Sequence, residues 1–144
     1  MTITKAITSD TSKLFALEQA LFSEVNYPLS RSGFSYHINN NLLYVAKKDN
    51  EVIGYILTLV KRKEPKIYSL GVSEAFRGQN IASKLFETTI NMLKILEFKK
   101  LELEVRMDNI GAIKLYEKLG FETKKVSENF YLDRCDALIM QRSL

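Results

Sequence analysis

Cysteine and histidine are nearly absent from this chain: Cys135 and His37 stand alone among 144 residues. A lone cysteine forms no internal disulfide, and the two together give too few nitrogen and sulfur ligands for an ordinary zinc site. No metal is therefore expected, and a Cys–His nucleophile would require His37 and Cys135 to meet in the fold. Proline occurs twice and glycine six times. With no repeat, low-complexity tract or long linker, residues 1–144 are expected to form a single domain. Long apolar runs are missing too. Nothing approaches the ~18 residues of a membrane span, and residues 1–25 lack the unbroken apolar stretch of a signal peptide. The expected location is the cytoplasm, with no membrane partner.

Charge is only mildly one-sided. A net charge of +4 and a pI near 9.1 favour an anionic partner, either a phosphorylated small molecule or nucleic acid. Outside the cluster Lys61 to Lys66 the basic residues are dispersed among acidic ones. That cluster contains Glu64 and Pro65 and lies between two strand-like runs, so it reads as a solvated hairpin loop. No dedicated nucleic-acid surface is indicated.

What is present is enough apolar content, 46%, for one packed core, and a clear succession of elements. Residues 2–7 read as a strand. Ser9 and Asp10 offer a helix cap, and the following helix aligns Leu14, Leu17, Leu21 and Phe22 on one face. A proline- and glycine-broken segment leads to a short helix ending near Asn39 to Asn41. "LLYVAKK", the Asp49–Asn50 turn and "VIGYILTLV" make a hairpin. Then come a strand at 67–72, a long helix at 81–96, a strand at 100–106, and a helix at 109–119 closed by Gly120 in a left-handed cap. Strands near 121–126 and 137–142 finish the chain. Hairpins first and a strand–helix–strand crossover later indicate a mixed α/β sheet rather than a purely parallel one.

Three segments carry chemistry. "RGQNIA" turns from a strand into a helix whose N-terminus has unpaired N–H groups and a partial positive charge. Gly78, Gln79, Asn80, Ile81, Ala82 and Ser83 could give a pyrophosphate backbone donors, with Arg77 or Lys84 as countercharge. The same hexapeptide also suits an ordinary strand-to-helix loop. Upstream, Gly71 lies inside the strand "YSLGVS", where a glycine marks a bulge or a close backbone approach. In "LELEVR", alternation puts Glu102, Glu104 and Arg106 on one face; they suit a half-exposed strand, or one carboxylate could deprotonate an amine. In "NIGAIKLYEKLGF", Ala112, Leu115, Tyr116 and Leu119 share a helix face, as in an ordinary core helix with a tyrosine at its rim.

Taken in order, these segments resemble the GNAT N-acetyltransferase superfamily. Asn109, Ala112, Leu115, Tyr116, Gly120 and Phe121 match its N-x-x-A-x-x-L-Y-x-x-x-G-F signature. Arg77 to Ala82 match its R/Q-x-x-G-x-G/A loop, except that Asn80 replaces the central glycine. Asparagine is the side chain that best tolerates positive φ. The resemblance implies an α/β (α+β) GNAT fold: a mixed, mostly antiparallel sheet of about six or seven strands with about four helices and splayed central strands. It also implies acetyl-CoA as donor, its arm lying along Leu70, Gly71 and Val72 and bonded by Asn109. Glu104, twelve residues before Tyr116, would take the proton of the amine. The Val72 N–H would steady the oxyanion, and Tyr116 would protonate sulfur, with no covalent enzyme intermediate.

"LEVRMDN", "NFY" and "DALIM" are similar to the RimI type, which acetylates the N-terminal alanine of a ribosomal protein. That likeness makes a protein or peptide N-terminus the expected acceptor, with Tyr27 and Tyr131 as candidates to grip it. The stretch "LDRC" is shorter than in typical members. A lysine or small-amine acetyltransferase, and a non-catalytic CoA-sensing or nucleic-acid-binding module, are the alternatives.

Overall fold

The computed structural model describes residues 1–22 and 28–144. A short edge strand, β1 (Thr2–Lys5), leads into α1 (Thr11–Leu21) and α2 (Arg31–Asn40). Asp10 occupies the cap position of α1 without a cap bond from its side chain. Its carboxylate instead accepts from the Ile7 N–H at 2.9 Å and pairs with Lys47 at 2.7 Å, tying the helix entrance to the sheet. The hairpin β2 (Leu42–Lys48) and β3 (Glu51–Leu59) follows. Asp49 and Asn50 both take positive φ, 51° and 64°, which matches a two-residue turn to the twist of its strands.

The second half alternates strand and helix: β4 (Lys66–Val72), α3 (Ile81–Ile95), β5 (Lys100–Arg106), α4 (Ile110–Lys118), β6 (Glu122–Ser127) and β7 (Ala137–Ser143). Gly120 closes α4 at φ 94°, the left-handed cap expected of it. Among the described residues there are seven strands in one sheet, ordered β1-β2-β3-β4-β5-β7-β6. The β4–β5 pair is parallel and its neighbours are antiparallel. A parallel pair needs a long crossover, and α3 provides it.

Two cores sandwich the sheet. On one face α3 and α4 pack Leu85, Phe86, Leu93 and Tyr116 against Ile56, Leu101 and Leu103. On the other, α1 and α2 pack Leu14 and Phe34 against Val45, Tyr55 and Leu57. Glycine lets these layers approach. A Cβ on Gly71 would sit 2.7 Å from Leu21 and 3.1 Å from the Tyr55 ring, so the close approach expected there is made by α1 and β3.

The bulge lies elsewhere. Leu57 pairs with Ser69 but Thr58 pairs with Ile67, leaving Tyr68 as the extra residue on β4. A bulge bends its strand, and β4 parts from β5 at this point: only Lys66↔Glu102 and Ile67↔Leu103 pair.

Candidate active site

The parting of β4 and β5 opens a cleft of about 220 Å³. Its floor comes from strand alternation. In β5, Leu101, Leu103 and Val105 are buried while Glu102, Glu104 and Arg106 lie half-buried on the other face. Glu104 faces the cleft with 13% of its side chain exposed, and its carboxylate meets the Lys66 ammonium from β4. The adjoining wall comes from α4. Asn109 caps that helix by accepting from the Ala112 N–H at 3.2 Å, which leaves its side-chain NH2 for other partners. Tyr116 follows on the next turns, its ring edge-on to Phe121 at 5.8 Å.

Burial pushes the Tyr116 hydroxyl up to about 12, with neighbouring Tyr131 adding to the effect. Tyr131 is also pushed up to about 12, first by burial and then by the Glu104 carboxylate. Both phenols therefore keep their protons at neutral pH and act as donors. Tyr131 is held in place by an arginine. The Arg106 guanidinium lies 5.0 Å from its ring centroid and forms bonds to Asp108 (3.0 and 3.1 Å) and Asp133 (2.7 and 3.1 Å). Arg106 in turn holds both aspartate carboxyls below their usual range. The short "LDRC" segment is thus fastened to the end of β5.

A second carboxylate lines the same cleft. Glu18 of α1 is 2% exposed. It accepts from the Leu29 N–H at 2.6 Å, from Tyr55 Oη, and from Ser69 Oγ at 3.2 Å. Burial raises its carboxyl above the ordinary range, partly offset by the Leu29 and Ser69 bonds.

The open edge of β4 can be assigned by parity. The Ser73 N–H donates to Ile53 O at 2.8 Å, so the N–H groups of Gly71 and Ser69 also face β3. Those of Leu70 and Val72 face the edge that β5 has left. Leu70 lines the cleft; Gly71 and Val72 lie beyond it, toward the following loop.

That loop has the predicted conformation. Asn80 sits at φ 60°, ψ 23° as the cap of α3, and Gly78 at φ 80°. Ile81 is buried at 3% and packs into the core beneath the loop. The Lys84 N–H closes the first helical bond to Asn80 O at 3.1 Å. Among the described residues the N–H groups of Asn80 to Ser83 meet no backbone acceptor outside α3. Nothing lies within 4 Å of a Cβ placed on Gly78, and Arg77 stays 60% exposed, 3.9 Å from Glu74. Open donors, left-handed turns and an adjacent cation suit a pyrophosphate.

The sequence-derived residues Glu104, Tyr116, Asn109, Leu70 and Tyr131 therefore share one cleft, and Arg77 to Ser83 form one turn. Tyr27 lies outside the described residues. Sequence reasoning missed Glu18, Lys66 and the positioning part played by Arg106. Glu18 did leave a signal, an acid inside the apolar stripe of α1 between Leu14 and Leu21.

The sequence pattern of the acetyltransferase (GNAT) family matches residues 11–121. An N-alpha-acetyltransferase of Saccharolobus solfataricus is 34% identical over 70% of this chain and 68% of its own length. The crystal structure of the ribosomal-protein-alanine N-acetyltransferase of Escherichia coli superposes with a TM-score of 0.86 at 28% identity, covering 99% of this chain and 92% of that one. The NatC complex bound to Gag peptide and CoA gives a TM-score of 0.85 at 25% identity, covering 99% and 98%. Among the described residues no group of side chains is arranged to hold a metal ion, and no helix is long and apolar enough to cross a membrane.

Proposed function

Since the chain belongs to the GNAT acetyltransferase family, we propose that it transfers an acetyl group from acetyl-CoA to the N-terminal α-amine of a protein, a ribosomal protein being the candidate class. The observation that carries the reading is the convergence of Glu104 and Tyr116, from adjoining elements, on a cleft whose β4 edge keeps open N–H groups. Acetyl-CoA, when bound, supplies an activated thioester carbonyl. The turn from Arg77 to Ser83 holds its pyrophosphate through backbone donors. The N–H of Val72 and the side-chain NH2 of Asn109 hold the arm. Leu70, at the Glu104 end of the strand, is the better placed of the two open N–H groups to steady the oxygen that gains charge during attack. Glu104 takes the proton of the amine, and Tyr116 gives one to the departing sulfur. Tyr131 and the Arg106 cluster wall the acceptor end.

The names of the relatives favour an α-amine, and so does its chemistry. Its reference pKa is about 8, against about 10.4 for lysine, so at neutral pH deprotonation is easier by roughly 3 to 4 kcal/mol. Two peptides test this: one with a free N-terminus and no lysine, the other with a blocked N-terminus and one lysine. Thiol release should follow the first. An equal rate on the second would overturn the α-amine assignment, and the absence of release from either, with no acetyl-CoA-dependent rise in Tm, would overturn the enzymatic one.

A further inference from the structure

Glu104 is not free to receive an incoming amine, because an amine of this chain already stands against it. We propose that the Lys66 ε-amine is itself an acceptor: the protein acetylates its own β4 strand in cis, and doing so releases Glu104. This rests on the acetyl-transfer reading above.

Lys66 opens β4 at its paired end, where its Cα partner is Glu102. Its side chain does not reach out to solvent with the other cations of the preceding loop. It turns inward, 17% exposed, and places Nζ on Glu104 Oε1. Lys66, Glu104, Leu70 and Tyr116 line one cleft, so this nitrogen touches the proposed base and shares the cavity with the proposed acid and the open strand edge. Lys61 and Lys63, a few residues earlier, are exposed. A purely structural ion pair would suit the same contact, but only Lys66 combines that pairing with a seat in the cleft.

The chemistry balances. The Lys66 nitrogen forms a bond to the thioester carbonyl carbon of acetyl-CoA, and the carbon–sulfur bond breaks with its electrons on sulfur. Of the two protons the ammonium loses, one reaches sulfur by way of Tyr116 and the other leaves to solvent through Glu104. Glu104 stands where it can take a proton from the ammonium, and well-oriented intramolecular groups have effective molarities on the order of 10⁵ M or more. The acetylated side chain carries no charge, so it cannot pair with Glu104. The carboxylate is then available to a peptide α-amine, and peptide turnover should begin with a lag that pre-acetylation removes.

The test is peptide mass mapping of the protein as purified from expressing cells, with nothing added, and again after incubation with acetyl-CoA. Lys66 should carry an acetyl group at about tenfold higher occupancy than exposed Lys63, and Glu104→Gln should lose that excess. To show action in cis, wild-type protein is mixed with affinity-tagged Glu104→Gln protein as bait, and Lys66 of the recovered bait should stay unmodified. Occupancy at Lys66 no higher than at Lys63, or unchanged by Glu104→Gln, would overturn the proposal, and a labelled bait would overturn its cis character. If a peptide is acetylated while Lys66 stays bare, this inference alone fails. If neither is acetylated and acetyl-CoA does not stabilise the protein, the functional reading fails with it.

Discussion

The two walls of the cleft each present a glutamate, and the pair sets a structural carboxylate beside the proposed base. On the α1 wall, Glu18 is fully committed: a backbone N–H and two hydroxyls fill its oxygens, and they join the start of α2 to β3 and β4. On the β5 wall, Glu104 is met, among the described residues, by the flexible ammonium of Lys66. Both line the same cleft, so position alone does not mark a base. What distinguishes them is how readily the partner can be displaced. Neutralising one lysine frees Glu104, whereas freeing Glu18 would strand the buried Leu29 N–H at roughly 1–3 kcal/mol and leave the Tyr55 and Ser69 hydroxyls only each other.

The sharpest way to break this contrast is to remove each charge while keeping its shape. Glu104→Gln should lower kcat/KM by about 10²–10⁴, measured on protein whose melt shows that it remains folded. The loss should be deeper near about pH 6 than about pH 9, where an α-amine of reference pKa near 8 is already neutral. A flat profile at wild-type rate would remove Glu104 from the chemistry. Tyr116→Phe should reduce kcat by about tenfold to a hundredfold and leave acetyl-CoA affinity unchanged in calorimetry. With its hydroxyl pushed up to about 12, Tyr116 should add no alkaline limb to the rate profile below about pH 10.

Glu18→Gln should act on stability, costing about 1–3 kcal/mol in urea melts, with activity falling only as the folded fraction falls. Burial raises the Glu18 carboxyl, so the folded protein keeps this proton at pH values where the unfolded chain has lost it. Stability should therefore fall as pH rises from the ordinary carboxylate range to the raised one, and Glu18→Gln should lose that slope. A collapse of kcat at full stability would instead place Glu18 among the reacting groups.

The smallest effect belongs to the turn. Asn80 at φ 60° pays about 1 kcal/mol relative to glycine, so Asn80→Gly should keep or tighten acetyl-CoA binding, by up to about fivefold. Asn80→Val should weaken it more than that, since β-branched residues rarely adopt positive φ. Equal calorimetric affinities for all three proteins would detach the turn from the cofactor.

What could be read from the sequence depended on the distance between the interacting parts. The Asp49–Asn50 turn, the left-handed Asn80, the Gly120 cap and the β5 alternation involve neighbours in sequence, and each was found as expected. So did the lining of the cleft by Glu104 and Tyr116, because one β-strand and the next helix fix their relation. The unforeseen features all cross the chain. The Lys66–Glu104 contact needs the register of a parallel pair joined through α3. The approach at Gly71 depends on α1 and Tyr55, and the bulge at Tyr68 on the count of residues in β3. Glu18 was not singled out, because the hydroxyls that make its burial tolerable come from β3 and β4.

That bulge makes the cleft a matter of arithmetic. β4 carries one residue more than β3 has partners for, and the sheet divides where the surplus falls. Deleting Tyr68 would equalise the two strands and let β4 continue alongside β5, as a zip closes when a misaligned tooth is removed. Such a protein should melt as a folded sheet yet no longer bind acetyl-CoA, and retained binding would show that the opening has another cause. On this reading the capacity for ligand depends less on which side chains line the gap than on a single miscount in the backbone ladder.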